Sequence, residues 1–234
     1  MRPERPCRQT AYAICVAENT MRKMIALFAL CCVFLAFAST VAAAENALPK
    51  PITEGGKSVL AAINSRASAI RDQFPVNPIS MQDLSTLLWT ASGRNRGGNG
   101  WTVPVGMGKD PYCTVYVAKS DGVFRYDGKG HNLKEISKEN IIPGITSQAF
   151  ATKAPVVLIF VIDGGKMAEI SDPARRASFG YVLVGCMTEH VYLAADSLNI
   201  GVRYMATLNT DFVRAKLGLP AADTPVCILP MGRR

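Results

Sequence analysis

Two histidines, His131 and His190, are all that this chain of 234 residues contains. The cysteines beyond its N-terminal region, Cys113, Cys186 and Cys227, do not pair at metal-ligand spacing with one another or with a histidine. A zinc centre therefore lacks a ligand set, and an odd cysteine count gives no disulfide framework. Each cysteine lies among apolar neighbours (PYCTVYV, LVGCMTE, PVCILP), the setting of a buried thiol that behaves as a small hydrophobe. No serine or cysteine occupies a nucleophile elbow, so nothing supports a serine or cysteine hydrolase. The glycine-rich GRNRGGNG lacks the lysine and hydroxyl residue of a phosphate loop and follows a helical pattern instead of a strand. Basic residues form no long stripe and are not interleaved with aromatics, which argues against nucleic acid and for a small anionic ligand.

No apolar run reaches the roughly 20 residues that span a bilayer as a helix. The stretch 24–38 holds 15 residues without charge, follows basic Arg22 and Lys23, and leads to Ala42, Ala43 and Ala44. This is the pattern of a secretory signal cut before Glu45, with Met21 rather than Met1 as initiator and a periplasmic or secreted destination. An uncleaved anchor is the alternative. Cys31 and Cys32 follow bulky residues, so neither suits lipidation. Residues 1–44 are thus set apart as an upstream extension and signal, and the remainder carries 21 basic against 16 acidic residues, a mild net +5. ENALPKPITEG, residues 45–55, reads as a linker, and residues 56–234 as one domain.

Within that domain KSVLAAINSRASAIRDQF places Val59, Leu60, Ile63, Ala67 and Ile70 at helical intervals, with Arg66 and Arg71 toward its end. Pro75 and Pro78 break it. Ser80, followed by Asp83, starts a second helix over about 81–91 that turns Leu84, Leu87, Leu88 and Trp89 inward and stops at Gly93. CTVYVA reads as a strand returned by Asp121-Gly122 into VFRYD, a hairpin. APVVLIFVI is an interior strand, because its apolar run leaves no face for water. HNLKEISKENIIPGITSQAFATK reads as two short helices. Residues 174–199 form the longest helical pattern; a turn at Gly201, a strand VRYMATL, a helix TDFVRAKLGL and a strand VCILPM complete the chain. Interspersed helices and strands with a central hairpin give an α+β fold.

The succession of Arg66 and Ser68 on a first helix, PISMQDLSTLLWTASGRNR, WTVPVGMGKDPYCTVYV, GVFRYDGKGHNLKEI and GCMTEHVYLAADSLNIGVRYMATL resembles the nitroreductase family of flavin enzymes over nearly all of residues 58–234. Within it, the sequence is most similar to the branch that includes azoline-oxidising dehydrogenases. The resemblance implies a three-layer sandwich with a central mixed, mostly antiparallel sheet, and an intertwined homodimer holding FMN in clefts at the subunit interface.

It also implies site residues. Arg66 and Ser68 match the family's phosphate residues; Arg71 sits one place later than the next family arginine, and Arg233 in the terminal MGRR returns a further cation. An arginine fork suits a phosphate dianion through paired charge-assisted hydrogen bonds. Pro104, Val105, Gly106 and Gly108 match a loop beside the flavin ring, with Val105 replacing a serine. Glu189, followed by His190, stands where many relatives carry glutamine and asparagine, and Gly201 follows the central helix. GRNRGGNG becomes a flexible rim whose Arg94 or Arg96 attracts an anion. The implied activity is that of an exported FMN-dependent oxidoreductase working on a small organic substrate, with no acid or base residue standing out as catalytic. Past the inner membrane NAD(P)H is scarce, so reduced quinone, a thiol or a partner protein is the expected electron source, and substrate dehydrogenation the alternative direction. The altered loop and helix residues favour a second reading, a non-catalytic binding module on the same scaffold that has lost flavin.

Overall fold

The structure, a computed structural model, describes residues 47–106 and 110–234. The expected signal, the expected cleavage position before Glu45 and Gly108 lie outside the described residues.

The first helix, α1 (Val59–Ser65), is shorter than expected. Ser58 caps it by accepting from Ala61 N–H, and at Arg66 the backbone is already extended. The rest of the expected helix becomes an extended run to Ile70 and a 3₁₀ turn, Arg71–Gln73. Tertiary hydrogen bonding overrides local propensity here: Ala69 N–H donates to the Val202 carbonyl at 2.8 Å, a bond that a continued helix would forgo. The apolar spacing of α1 is real, yet Val59, Leu60 and Ile63 point outward; only Ala62 is buried.

Helix α2 (Met81–Ser92) is built as its sequence indicates. Ser80 accepts from Asp83 N–H, Leu84, Leu87 and Leu88 are buried, and Gly93 caps the end. The glycine-rich stretch after it folds into a two-stranded ribbon, β1 (Arg94–Asn95) with β2 (Gly100–Trp101). Arg96, Gly97 and Gly98 turn that ribbon with φ of 49°, 66° and 89°, values that explain the glycines. Both arginines fold back on it. Arg94 lies 4.5 Å from the Trp101 ring centroid, and the Arg96 guanidinium covers Gly100.

Then come β3 (Cys113–Lys119), β4 (Gly122–Asp127), β5 (Asn132–Ser137), α3 (Ile142–Ile145), β6 (Val156–Ile162), α4 (Pro173–Ser197), β7 (Ile200–Val202), α5 (Thr210–Leu217) and β8 (Thr224–Arg233). Residues 132–137, expected as helix, form the edge strand β5; the two short helical turns occur after it, in α3 and at Ala151–Lys153. The six-stranded sheet runs β5-β4-β3-β6-β8-β7, and every pairing in it is antiparallel, so no parallel pair of a mixed sheet occurs among the described residues.

All seven residues of β6 are buried, because the sheet is covered on both faces. Leu158 and Phe160 pack with the buried residues of α2 and α4, whereas Val157, Ile159 and Val161 pack with Ile142, Ile145, Val213 and Leu217 beneath α3 and α5. Each such side chain contributes about 1.5–3 kcal/mol by leaving water. This is the three-layer sandwich. Cys113 and Cys227 are buried in it, and burial pushes the Cys227 thiol up to about 12 and that of Cys113 higher still.

Part of the expected linker is fastened to the body. Leu48 is buried, Ile52 N–H donates to Thr86 Oγ1 at 3.1 Å, and Gln82 Nε2 donates to the Lys50 carbonyl at 2.7 Å. Proline in LPKP suits such an extended strap, since it fixes φ and needs no donor partner.

Candidate anion site

The extended run after α1 is laid along the edge strand β7. Ala69 N–H bonds Val202, and Arg203 Nη1 donates to the Ala69 carbonyl at 2.9 Å. Buried Ala69 therefore faces the sheet, and Ser68 faces out. Ser68 Oγ lies 2.9 Å from the Tyr192 hydroxyl of α4, which also accepts from Tyr204 N–H at 2.6 Å. When Tyr192 donates to Ser68, the serine's own proton is left to donate to an anion.

The far end of β8 closes the same place. Arg233 N–H donates to the Asn77 carbonyl at 3.0 Å, Asn77 Nδ2 donates to the Arg233 carbonyl at 3.2 Å, and Arg234 N–H donates to the Asn199 carbonyl at 3.1 Å. Ser68, Gln73, Asn77, Arg233 and Arg234 line a groove of about 470 Å³.

Buried carboxylates hold its arginines. Arg233 pairs with Asp83, whose backbone N–H is taken by the Ser80 cap. Arg234 Nη1 lies 3.7 Å from Asp196 Oδ1. Burial pushes the Asp196 carboxyl up, but hydrogen bonds from Lys57 (2.6 Å) and Ser65 (2.5 Å), with the charges of Lys57 and Arg234, outweigh it and hold the group below its ordinary value. A guanidinium carries five N–H donors, so each arginine anchored on one side keeps donors for an anion on the other.

The expected site residues separate on this frame. Ser68 and Arg233 come together, with Arg234 beside them. Arg66 does not line the groove: its Nε sits 3.1 Å from Glu189 Oε1 and its guanidinium 5.3 Å from the Tyr192 ring centroid. Glu189 is thereby an arginine partner on α4. Arg71 heads the 3₁₀ turn, exposed and outside the lining. Gly201 marks no turn; it lies inside β7 opposite Gly232. A Cβ on Gly201 would come within 2.5 Å of Pro75 Cγ, and one on Gly232 within 2.1 Å of the Pro75 carbonyl oxygen. The two glycines admit Pro75, and Pro75 shapes the groove wall.

The loop residues are elsewhere. Pro104 is exposed, Val105 packs against the core, and a Cβ on Gly106 would meet the Tyr112 hydroxyl at 3.4 Å and Phe179 at 3.5 Å. His190 sits between helices, Nδ1 3.3 Å from the Thr90 carbonyl, and not in the groove. Tyr192, Asn77 and Arg203 escaped the sequence reading. Tyr192 shares a face of α4 with Glu189 at three residues' spacing, the one signal that pointed to it.

The nitroreductase family model matches residues 63–233. The chain belongs to that family. A crystal structure described as a nitroreductase from Ralstonia eutropha JMP134 is 31% identical, with a TM-score of 0.74 over 80% of this chain and 88% of that one. The E. coli microcin synthetase McbBCD complex with truncated pro-MccB17 bound shares the fold at 16% identity, TM-score 0.63, over 79% of this chain and 76% of that one. Nitroreductase A from Vibrio parahaemolyticus shares it at 21% identity, TM-score 0.53, over 76% and 69%. No functionally curated protein matches the chain. The α+β sandwich is thus the nitroreductase fold, and the family is one of oxidoreductases.

Proposed function

We propose that this nitroreductase-family protein is an exported, FMN-dependent oxidoreductase that acts on a small organic substrate as a homodimer. One observation carries the reading: the groove where Ser68, Arg233 and Arg234 converge. The donor set fits a phosphate dianion, since two guanidinium groups and a hydroxyl supply charge-assisted hydrogen bonds and the carboxylates behind them fix the guanidinium heads in advance.

FMN, when bound, supplies hydride acceptance and donation at the N5 of its ring. The chain's part is to hold and shield. Ser68, Arg233 and Arg234 hold the phosphate end, with Asn77 binding the β8 backbone that carries Arg233. Water exclusion falls to a second copy. Val59, Leu60, Ile63 and Val182 expose 68%, 79%, 56% and 64% of their surface in one chain, a cost that burial against a partner copy removes.

A second reading, a binding module without flavin, is favoured by Arg66 being engaged by Glu189 instead of lining the groove. The absorption spectrum of the purified chain, with heat release and chromatography of any bound flavin, separates the two. A yellow protein that releases FMN supports the enzyme. A colourless protein that takes up no added FMN supports the module. Cell fractionation tests export.

A further inference from the structure

The backbone of Tyr204, the Tyr192 hydroxyl and Ser68 form a chain of hydrogen bonds that ends in the groove. Met205, next to Tyr204, is fastened to β8: its N–H donates to the Ile228 carbonyl at 3.0 Å, and its carbonyl accepts from Ile228 N–H at 2.9 Å. The Tyr204 N–H held in this way donates to the Tyr192 hydroxyl at 2.6 Å, and that hydroxyl lies 2.9 Å from Ser68 Oγ on the groove lining. Tyr192 is only 5% exposed, on the buried face of α4 with Met187, Val191 and Ala195. A phenol packed like this has no rotamer freedom left to lose when a ligand arrives.

We infer that Tyr192 is a positioning residue that turns the Ser68 hydroxyl proton toward the groove. A backbone N–H can only donate, so Tyr204 occupies the acceptor side of the phenol oxygen and leaves the phenol proton for Ser68. Ser68 then accepts from Tyr192 and donates outward. The chain has one direction, from Tyr204 N–H through two hydroxyls to the bound oxygen, and each bond polarises the next. Its end presents a donor, which suits an oxyanion that can only accept. The opposite direction would place two donors on the phenol oxygen and show the groove a serine lone pair, which repels an anion. The inference rests on the flavin reading only for the identity of the anion.

The test uses the full chain as parent, Tyr192→Phe, Ser68→Ala and the double variant. Phenylalanine keeps the ring face that lies 5.3 Å from the Arg66 guanidinium and removes the hydroxyl alone. FMN and phosphate-free riboflavin are titrated by flavin fluorescence, and inorganic phosphate by the shift in melting temperature against chloride of equal ionic strength. Y192F should weaken FMN binding about three- to tenfold, the worth of one hydrogen bond, leave riboflavin unchanged and shrink the phosphate-induced shift. A merely structural loss would weaken both flavins alike. In the S68A background Y192F should cost FMN nothing more, because it acts through the serine. In the isotope-labelled parent, where no substitution disturbs the fold, the Tyr204 amide proton should move downfield on saturation with phosphate, and the movement should vanish in S68A. A Y192F chain that binds FMN as tightly as the parent, additive losses in the double variant, or a Tyr204 amide that ignores phosphate in a parent that binds it overturns the role of Tyr192 and leaves the flavin reading intact. A parent that phosphate stabilises but that takes up no FMN, with a smaller phosphate shift in Y192F, supports the role of Tyr192 and removes the flavin. A parent that responds to neither overturns both.

Discussion

Ser85 Oγ lies 2.8 Å from His131 Nε2, and the Pro49 carbonyl oxygen sits 3.1 Å from the same nitrogen. On the other side of the ring, the Tyr126 hydroxyl is 2.9 Å from Nδ1. A carbonyl only accepts, so Nε2 carries the proton and Nδ1 accepts from tyrosine; Ser85 in turn donates to Pro49. The neutral imidazole is fully satisfied, and it ties α2, the β4–β5 turn and the N-terminal strap together. The arrangement is structural: the helix-borne serine is fully buried, and the histidine nitrogen that a catalytic triad would need as a donor accepts instead.

That knot makes stability depend on pH. Burial holds His131 below its ordinary value, against an opposing pull from the Pro49 carbonyl. The unfolded chain, with histidine near 6.5, therefore binds more protons than the folded one just below that pH. Stability from this group is complete above about pH 6.5 and is lost as pH falls through the lower folded value. Urea midpoints measured between pH 7.5 and 5 should decline, and His131→Gln should flatten the decline. An equal slope in the variant would refute the role given to His131.

Where the sequence specified structure, each residue's neighbours along the chain were also its partners. Ser80 with Asp83, the Asp121-Gly122 turn, and Gly218 at φ 60° after α5 are local devices. The unbroken run of β6 needed only two covered faces. Residues 132–137 misled because Leu133 and Ile136 have helical spacing while Lys134 and Glu135 are the charges of a protected sheet edge. Periodicity in α1 reported an apolar face but not what covers it. In the site, the family resemblance singled out Ser68 and Arg233, which meet in one groove, whereas the bond from Ser68 to Tyr192, the Asp83 counter-charge and the Pro75 contact of Gly201 join distant parts of the chain that no local pattern links.

Gly232→Ala should destabilise the chain by about 1–3 kcal/mol, the range for forcing a methyl group into a packed site. The obstacle is backbone: the Pro75 carbonyl oxygen would lie 2.1 Å from the new carbon, so a rotamer change cannot relieve it. Displacing Pro75 moves the groove wall as well, and FMN affinity should fall with stability. A normal denaturation midpoint would show that the close approach does not exist.

Ser68→Ala and Arg234→Ala should weaken FMN binding to different degrees. The serine offers one hydroxyl, worth about 0.5–1.5 kcal/mol or roughly three- to tenfold in affinity. The arginine offers charge-assisted bonds, worth about 1.5–3 kcal/mol or roughly ten- to hundredfold. Arg234 is the cleaner probe of the two terminal arginines, since Asp196 keeps Lys57 and Ser65 when Arg234 is removed. Arg233 is the partner of a carboxylate only 9% exposed, and removing it strands that charge. Riboflavin, with no phosphate, should be insensitive to both variants in fluorescence titrations.

Leu60→Asp tests the second copy. Leu60 is 79% exposed in a single chain and makes no part of either core cluster, so a carboxylate there meets water and should leave the monomer's fold intact. In a dimer that covers α1, the same carboxylate is buried without a cation beside it. No residue of α1 carries a charge, and Lys57, three positions ahead of Leu60, is already held by Asp196 at 2.6 Å. An unpaired buried charge costs several kcal/mol, enough to shift association by orders of magnitude. Sedimentation velocity should therefore find the parent as a dimer and L60D as a folded monomer with an unchanged far-ultraviolet dichroism spectrum. Because the proposed partner copy also shields the groove edge, the monomer should lose FMN affinity although no groove residue has changed. A dimer that survives L60D would place the subunit contact away from α1, and a monomeric parent would refute the dimer itself.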